Sequence, residues 1–346
     1  MTDLLLMVTE PSPSSEPETR LLELMRGYRQ PHALYVVVQL GIADLIADEP
    51  RSGEELAQAV GCHGPSLTRL LRALASSAVF TETAPGTFAH SPMSRLLRRD
   101  HPNSRVPSIS FLGAAYTLQA WSSLAHSVRT GASAFQHAHG MDKWAYNSLH
   151  PRDGATFDAV MAGARPARIA SLLRAYDFSA SSVVVDVGGG QGHLLAAVLA
   201  KHGGLRGVLY DLPAVVADAP ARLEAVGVAG RCVIETGSFL DSVPSGDTYV
   251  LSDILHDWPD EQCLAILRAC RAAIDPGGRL LVVEHLLVPG ATPPHIAWLD
   301  LQMLVEFGEG RQRSVDELRR LFDASAFRLD SVVSTSDISV VIAVAG

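Results

Sequence analysis

A glycine-rich turn, Asp186-Val-Gly-Gly-Gly-Gln-Gly-His, follows an apolar run in the second half of the chain. Its spacing is D-x-G-x-G-x-G, with Gly188 as the first of the three spaced glycines. Glycines between a strand and a helix let the backbone approach a ligand closely and present its N–H groups. The dinucleotide fingerprint G-x-G-x-x-G does not fit, because His193 occupies its third glycine position. Asp211 ends the next apolar run, where a carboxylate can accept hydrogen bonds from both hydroxyls of a ribose.

More polar groups follow the later apolar runs. Gly237-Ser-Phe comes after the third run, Ser252-Asp-Ile-Leu-His-Asp-Trp after the fourth, and Glu284 ends the fifth. Open parallel sheets bind ligands at the carboxyl ends of their strands, so polar groups at the ends of five strands predict a site at that edge. His256 is then one strand away from Glu284, and a carboxylate there can fix the tautomer of an imidazole.

Short β-branched runs alternate with amphipathic stretches after Ser182. Continuous apolar runs of about five residues are typical of strands covered on both faces, and hence of a mostly parallel sheet. Two more runs, in 327–332 and 339–344, add late strands. The predicted fold class is α/β: a doubly wound, Rossmann-like domain of about seven strands over residues 176–346.

The first part of the chain has a helical pattern. Ser52 and Ser66 are N-cap residues of two amphipathic stretches, and Pro85-Gly86 joins two short β-type runs. Helix, turn, helix and hairpin together predict a winged helix. The segment Leu34–Ile46 is apolar on nearly all sides and predicts one buried helix. The predicted domains before residue 176 are a flexible leader (1–17), a winged-helix domain (18–105) and a helical connector (106–175) that contributes to the substrate pocket.

Charge and cysteine content exclude several function classes. The 346 residues include 28 Lys and Arg against 37 Asp and Glu, a net charge of −9, which argues against binding a nucleic-acid backbone or an anionic membrane. The four cysteines form no C-x-x-C pair, so neither a disulfide framework nor a zinc knuckle is expected. There is no membrane-spanning run and no signal-peptide pattern. We therefore expect a cytoplasmic protein.

The ordered motifs of the chain resemble those of S-adenosylmethionine-dependent small-molecule O-methyltransferases. This is the family of the plant caffeate and isoflavone enzymes, animal acetylserotonin methyltransferase and bacterial antibiotic-tailoring methyltransferases. The resemblance implies S-adenosylmethionine as cofactor, an aromatic hydroxyl compound as acceptor, and a homodimer formed through the winged-helix domain. It is carried by these segments: Asp186–Gly192, Tyr210-Asp-Leu-Pro, Gly237-Ser-Phe, Leu255-His-Asp-Trp-Pro-Asp-Glu, Asp275-Pro-Gly-Gly-Arg-Leu-Leu-Val-Val-Glu and Gly310-Arg-Gln-Arg-Ser.

The resemblance also implies site residues. His256 matches the general base, Glu284 matches the carboxylate beside it, and Gln312 occupies the position of a second acidic partner. Met161, Met303 and Phe307 are candidates for the acceptor pocket, with core packing as the alternative. No metal is expected, because methyl transfer from a sulfonium needs none. The cofactor-binding residues implied are Asp186, Gly188, Gly190, Asp211, Leu212, Ser238, Phe239, Ser252 and Trp258.

Three positions depart from the family pattern. Ser238 stands where the family usually has Asp, so the adenine amino group would be read through hydroxyl or backbone contacts. Gln312 stands where the family often has Glu, so the second acidic partner of the histidine would be absent. Phe307 stands where plant members have an asparagine that holds the phenol.

Two other functions stay open at this point. One is a member of the same fold that binds S-adenosylmethionine but catalyses hydroxylation, decarboxylation or ring closure. The other is a winged-helix transcription regulator, because residues 61–100 carry five arginines against two acids.

Overall fold

The structure, a computed structural model, describes residues 16–335 and 338–346, without the side chains of residues 162–165. Most of the predicted leader, residues 1–15, lies outside this range, and Glu16 already begins a helix. The chain divides into two compact units, Met1–Leu118 and Gln119–Gly346, which are described separately. Within the described residues, no helix is both long enough and apolar enough to cross a membrane.

The first unit is mainly helical and contains a small antiparallel sheet of strand order β1-β3-β2. Its core includes Val37, Leu56, Leu71 and Phe88, each no more than 1% exposed. The elements are α1 (Glu16–Arg26), α2 (Arg29–Gln39), α3 (Ile42–Ile46), β1 (Arg51–Ser52), α4 (Gly53–Val60), α5 (Gly64–Ala75), β2 (Phe80–Ala84), β3 (Thr87–His90), α6 (Pro92–Arg95) and α7 (Val106–Leu112).

The predicted winged helix is present. Ser52 caps α4 in a capping box with Glu55, which pins the start of the first helix of the pair. Helix α5 follows after a short turn, and the hairpin β2–β3 pairs Phe80 with His90 to form the wing. The prediction of one buried helix over 34–46 is wrong. Gly41 adopts φ +67° and separates α2 from α3, because a left-handed residue ends a right-handed helix.

The second unit contains most of the predicted helical connector (106–175), whose first helix, α7, lies in the first unit, and it continues into a large sheet. Its elements are α8 (Ala115–Ser122, which starts before the division), α9 (Leu124–Thr130), α10 (Ala134–His139), α11 (Lys143–Leu149), α12 (Pro151–Ala175), β4 (Val183–Val187), α13 (His193–Lys201), β5 (Arg206–Asp211), α14 (Ala219–Val226), β6 (Cys232–Thr236), β7 (Gly246–Ser252), α15 (Asp260–Ala273), β8 (Ile274–Glu284), β9 (Leu286–Leu287), α16 (Pro294–Phe307), β10 (Arg313–Ser314), α17 (Val315–Asp323), β11 (Phe327–Ser334) and β12 (Ser339–Ala345).

The large sheet has seven strands in the order β11-β12-β8-β7-β4-β5-β6. Strands β4 to β8 run parallel, and β12 pairs antiparallel with both β8 and β11. Alternate residues of β4 serve opposite cores: Val185 packs with Leu267 of α15, and Val184 packs with Leu195 of α13. Burial on both faces explains the continuous apolar runs, and the α/β prediction is confirmed.

A short parallel ladder holds the segment before α17 next to the end of β8. Arg313 of β10 pairs with Leu286 of β9. Helix α17 then starts with a capping box in which Ser314 and Glu317 bond reciprocally. Burial raises the pKa of Glu317, but the Ser314 N–H and the Arg311 guanidinium outweigh it and bring the pKa to about 2. The cap therefore fixes where the chain leaves the ladder.

We expect Glu317→Ala to lower the free energy of unfolding by about 1 kcal/mol at pH 7, since it breaks this capping box. Asp316→Ala is the matched control, because the Asp316 side chain is 74% exposed and loses the same charge from the same helical turn. Glu317 has a lowered pKa, so its stabilisation is present above pH 4.5 and lost as the pH falls toward 2. Denaturant unfolding at pH 7 and pH 3 measures this. An equal loss for both variants would contradict the role of the cap.

Candidate active site

The glycine turn after β4 forms the floor of the candidate site. Gly188, Gly190 and Gly192 all have positive φ, between +62° and +76°. A Cβ atom at Gly188 would lie 2.4 Å from Cδ1 of Ile254 and 3.5 Å from Cε1 of Phe239. Only glycine fits there, and its exposed backbone faces residues that follow β7 and β6.

Asp211, at the end of β5, has a carboxylate that is already oriented by backbone. Its Oδ2 accepts the N–H of Gly190 at 2.8 Å, and its Oδ1 accepts the N–H of Leu212 at 2.7 Å. A carboxylate offers about four acceptor positions, which is the chemistry that binding the hydroxyl groups of a ligand would need. Leu212 itself is 52% exposed beside it. Asp211, the residue predicted to bind the ribose, thus lies beside the predicted glycine turn.

Two further cofactor candidates, Asp186 and Ser238, lie in different surroundings. Asp186 is 1% exposed and lies beneath the turn, where a Cβ at Gly189 would be 2.7 Å from its Oδ2. Ser238 accepts the N–H of Leu240 at 3.2 Å, a local bond that leaves its O–H as donor.

An aromatic pair stands at the same edge of the sheet. Phe239 and Trp258 meet edge to face, with ring centroids 5.9 Å apart, and both pack partly buried on the sheet core. Ser252, half-buried, ends β7. Residues following β4, β5, β6 and β7 therefore converge as the sequence predicts.

His256 lies in a short 3₁₀ turn after β7, surrounded by carboxylates. Its Nε2 is 3.3 Å from Oδ1 of Asp257, and its Nδ1 is 3.8 Å from Oε1 of Glu284 and 4.0 Å from Oδ1 of Asp253. Its backbone N–H donates to the same Glu284 Oε1 at 3.0 Å. The His256 side chain is 14% exposed and that of Glu284 is fully buried. The predicted histidine–carboxylate pair is present, with two further carboxylates.

These charges decide the protonation of the imidazole. Burial lowers the pKa of His256, but Asp257, Glu284 and Asp253 outweigh it and raise the pKa to about 9. Burial also raises the pKa of Glu284, and the His256 imidazolium opposes that shift. His256 is therefore mostly protonated at neutral pH before any ligand binds, and it must lose a proton to act as a base.

Gln312 is fully buried next to this group. Its backbone N–H donates to Oδ1 of Asp300 at 2.8 Å, and the β9–β10 ladder sets it alongside His285. In the described part of the chain neither atom of its side-chain amide has a hydrogen-bond partner. A neutral amide here adds no negative charge to the three carboxylates around His256.

Arg313 anchors the loop that carries His256. Its guanidinium donates to the carbonyl oxygens of Leu255 at 2.6 Å and Trp258 at 2.7 Å, and to Oδ1 of Asp260 at 2.8 Å. The side chain is 0% exposed. The two carbonyls flank His256 and Asp257, so one buried guanidinium fixes the turn on both sides of the histidine.

The candidates for the acceptor pocket lie on helices. Phe307 is half-buried and stacks on Trp144 with ring centroids 5.6 Å apart, and Trp144 also meets Phe157 edge to face at 5.9 Å. Met161 is half-buried on α12. Met303 is 6% exposed on α16, so it packs in the interior. Of the three candidates, Phe307 is the one whose aromatic contacts are given above, and such rings pack well against a flat ligand.

Sequence reasoning missed three charged neighbours of His256. Asp257 and Asp253 are close to it in the sequence. Both lie in the polar segment that follows the fourth apolar run, and this was a signal that could have been used. Arg168, on α12, forms an ion pair with Asp253, and nothing in the sequence indicates it. His285 also belongs to the group, and burial lowers its pKa with the Arg168 charge adding to the effect.

The histidines of the connector serve packing. His137 stacks on His126 with centroids 3.9 Å apart, and the Asp142 carboxylate caps α11 by accepting the Ala145 N–H at 2.9 Å. Over residues 16–335 and 338–346, no group of three or more His, Cys, Asp or Glu could hold a metal ion.

Comparison with known families agrees with the fold and the site described above. Residues 121–328 match the O-methyltransferase domain, and residues 22–100 match the O-methyltransferase dimerisation domain. The chain belongs to the O-methyltransferase family. The predicted enzyme class, an S-adenosylmethionine-dependent O-methyltransferase, is thereby confirmed, and so is the fold with its N-terminal dimerisation domain.

Similar proteins come from bacterial natural-product pathways. The phenazine O-methyltransferase of Lysobacter antibioticus is 42% identical over 317 residues, which are 91% of this chain and 92% of that protein. The mitomycin 7-O-methyltransferase structure superposes with a TM-score of 0.91 at 33% identity, covering 96% of this chain and 99% of that one. The neocarzinostatin O-methyltransferase, solved with S-adenosylmethionine and a hydroxylated methylnaphthoic acid, has a TM-score of 0.81 at 35% identity, covering 92% and 96%.

The residues of this O-methyltransferase suit its cofactor. Gly188 carries no side chain beside Ile254 and Phe239, Asp211 is a carboxylate of the kind that would accept hydrogen bonds from ribose hydroxyls, and Phe239 has an apolar ring of the kind that would pack on adenine. Each group comes from the end of a different parallel strand, which is the arrangement expected for such ligands.

We expect Arg313→Lys to lower the free energy of unfolding by roughly 2–4 kcal/mol, because a lysine cannot satisfy two carbonyls and a carboxylate at once. Turnover should fall with it, since the His256 loop loses its anchor. Arg311→Lys is the control: Arg311 pairs with Asp260 but its side chain is 39% exposed. Denaturant unfolding and methyl-transfer rates measure both effects. Similar unfolding energies for the two variants would refute the anchor.

Proposed function

We propose that this enzyme methylates a hydroxyl group of an aromatic small molecule in secondary-metabolite biosynthesis, with His256 as general base. The observation that carries the proposal is the part-buried His256, flanked by Glu284, Asp257 and Asp253 at the strand edge that also holds the glycine turn. Relatives act on phenazine, 3-amino-4-hydroxybenzoate and dihydroxynaphthoate compounds, which supports an aromatic acceptor.

The cofactor supplies an electrophilic methyl group on a cationic sulfonium. A phenol has a pKa near ~10 and is mostly protonated at neutral pH, so its proton must be removed as the oxygen attacks. Carboxylates face both ring nitrogens of His256: Asp257 lies 3.3 Å from Nε2, and Glu284 and Asp253 lie 3.8 Å and 4.0 Å from Nδ1. Once the ring has lost a proton, its free nitrogen accepts the hydroxyl proton, and these carboxylates stabilise the imidazolium that results.

The chain keeps His256 from acting as a base until a cation is near. Three carboxylates hold its pKa at about 9, so the free site stores a proton on the imidazole. A positive charge brought to the same edge lowers that pKa, because like charges disfavour the protonated form. His256 thereby becomes a competent base in the loaded site.

The acceptor side of the site is aromatic. Phe307 and Trp144 stack at 5.6 Å, and Phe157 completes the cluster. Flat rings pack well against such faces, and holding the hydroxyl in line with the methyl group supplies much of the rate enhancement. Phe307 therefore belongs to the proposed acceptor pocket, and Met161, half-buried on α12, is the second candidate.

The winged helix does not support a role in binding DNA. Arg72 pairs with Glu82 at 3.3 Å, Arg98 with Asp100 at 2.7 Å, and Arg99 with Asp44 at 2.5 Å. Paired arginines have less charge to offer to phosphates, and the whole chain is acidic. We infer that this part assembles protein rather than contacting nucleic acid.

The cysteines support a reducing location. Cys62, Cys232, Cys263 and Cys270 are all free, and two of them are buried on α15 as small apolar side chains. Proteins of oxidising compartments tend to use such residues in disulfides. We infer that the enzyme acts in the cytoplasm.

The decisive experiment incubates the protein with methyl-labelled S-adenosylmethionine and a panel of aromatic hydroxyl compounds. We expect a methyl ether of one panel member, and His256→Ala should lower turnover by roughly 10²–10⁴ while the affinity for S-adenosylhomocysteine changes little. Asp211→Asn is the matched control and should weaken that affinity instead.

The kcat/KM of the wild type should rise with pH toward about 9, and this rise should vanish in His256→Ala with an acceptor that ionises below pH 7. Equal profiles for both proteins would remove His256 as base.

We also propose that the chain forms a homodimer through its first unit. Residues 22–100 match a dimerisation domain, and large apolar side chains are left exposed on α1 and after it: Leu21, Leu24, Met25 and Tyr28, at 58% to 63%. Exposed apolar patches of this kind mark protein–protein interfaces.

Light scattering at micromolar concentration should give twice the chain mass, and Leu24→Asp should shift the protein toward monomer. Val233→Asp is the control, because Val233 is 57% exposed in the other unit and should leave the mass unchanged. A wild-type monomer would overturn the proposal.

A further inference from the structure

A buried lysine beside the aromatic cluster is not used by the mechanism above. The chain has only two lysines, Lys143 and Lys201, among its 28 positively charged residues. Lys143 begins α11 and is 1% exposed. Burial disfavours its charge, and so does its place at a helix N-terminus, where the helix dipole is positive. Such a residue needs partners that stabilise the ammonium group.

Aromatic rings of two other helices are one kind of partner. The Lys143 Nζ lies 4.7 Å from the ring centroid of Phe135 on α10 and 5.4 Å from that of Phe157 on α12. Both distances are within the range of cation–π attraction, which is stronger where water is excluded. The side chain therefore holds α11 against two neighbouring helices.

Glu306 on α16 provides an opposite charge. It is 4% exposed, and its Oε1 accepts a hydrogen bond from Nε2 of Gln302 at 3.1 Å. Burial lowers the pKa of Lys143, and the charges of Glu306 and then Asp153 oppose that shift. Burial likewise raises the pKa of Glu306, and the Lys143 charge opposes it. Each group thus stabilises the charged form of the other.

The backbone of Glu306 is fixed as well. The Ser133 hydroxyl donates to the carbonyl oxygen of Glu306 at 2.7 Å, and the same Oγ accepts the Gln136 N–H as the N-cap of α10. Helix α10 also carries Phe135, which contacts Lys143. The end of α16 and the start of α11 are therefore joined through α10 as well as by charge.

The aromatic stack lies one residue further along both helices. Trp144 follows Lys143 and Phe307 follows Glu306, and these two rings stack at 5.6 Å with an interplanar angle of 25°. Phe157 contacts the Lys143 ammonium and, edge to face, the Trp144 ring. A shift of either charged residue would consequently move a ring of the stack.

We propose that Lys143 and Glu306 position the Trp144–Phe307 stack and thereby determine which aromatic acceptors the enzyme uses. A buried charge must keep its partners, whereas an aliphatic side chain can pack well in several positions. The two charges thus restrict how α11 and α16 lie, and the stack discriminates between flat rings of different size. Both are positioning residues, and the proposal rests on the acceptor pocket proposed above.

Steady-state kinetics with single-ring and fused-ring phenols, phenol and 2-naphthol among them, test this role. Lys143→Met keeps the length of the side chain but not its charge. It should lower kcat/KM for the preferred ring by roughly 10- to 100-fold, mainly through KM, the scale for a displaced wall. The ratio of kcat/KM between preferred and poorer rings should fall toward one. The affinity for S-adenosylhomocysteine should stay within about threefold, because the cofactor residues are untouched.

Further variants separate positioning from stability. Lys201→Met is the control, because Lys201 is exposed, bonds the Leu173 carbonyl and should change none of these constants. Lys143→Arg keeps a cation for the two rings and should lose less than Lys143→Met.

The double variant Lys143→Met with Glu306→Leu should regain the free energy of unfolding, because no buried charge is left alone. It should not regain the discrimination between rings, and it carries the kinetic test if Lys143→Met fails to fold. A double variant that discriminates like the wild type would overturn the proposal.

Lysine labelled with ¹³C at Cε gives a spectroscopic test without turnover. Two lysines give two side-chain signals, and Lys201→Met assigns them. Saturation with 2-naphthol, or with the panel member that is methylated, should shift the Lys143 signal and leave that of Lys201 in place. No shift with either compound would overturn the proposal. A shift without formation of any methyl ether would leave the positioning role standing and defeat the proposed function.

Discussion

The buried carboxylate of Glu284 is the constraint on which the site depends. It ends β8 with no exposed surface, and a charge in such a place must be compensated. The His256 N–H and ring provide that compensation, which ties the loop after β7 to the end of the neighbouring strand. Arg313, equally buried, holds the carbonyls on either side of the same turn. The position of the histidine is thus set by the burial of two charges, and a flexible loop could not meet that requirement.

The same arrangement places much negative charge around His256, and neutral or cationic neighbours limit it. Three carboxylates around one imidazole raise its pKa to about 9, and a fourth would make it harder still to deprotonate. Gln312, at a position where the family resemblance implies an acidic residue, is neutral and fully buried, so it adds no negative charge there. Arg168 draws part of the Asp253 charge away from the ring. The free site therefore favours the cationic form of His256, and the charge of what binds can shift it toward the neutral form.

The sequence predicted the features that depend on local pattern or strand order. Continuous apolar runs indicated buried parallel strands, and polar groups at strand ends indicated one edge, so Gly188, Asp211, His256 and Glu284 were found together. The break at Gly41 was missed because hydrophobicity gives no sign of a left-handed residue inside an apolar segment. Arg168 could not be found, since it comes from a helix 85 residues before Asp253 and their contact depends on how α12 packs on the sheet. The prediction that Asp186 contacts the cofactor stays a prediction; the structure adds that β4 buries its side chain beneath the turn.

Residues at different positions along the sheet edge have different tasks in the proposed function. The ends of β6, β5 and β4 carry an aromatic ring, a carboxylate and bare backbone, which in the proposed function bind the cofactor without taking part in proton transfer. The ends of β7 and β8 carry His256 and Glu284, which in the proposed function hold and move a proton. The aromatic cluster around Phe307 comes from helices outside the sheet, whose side chains can change with little effect on strand geometry. A fold arranged in this way can keep its cofactor contacts and its base while the helical side of the site accommodates different aromatic rings, which is consistent with the range of acceptors named for its relatives.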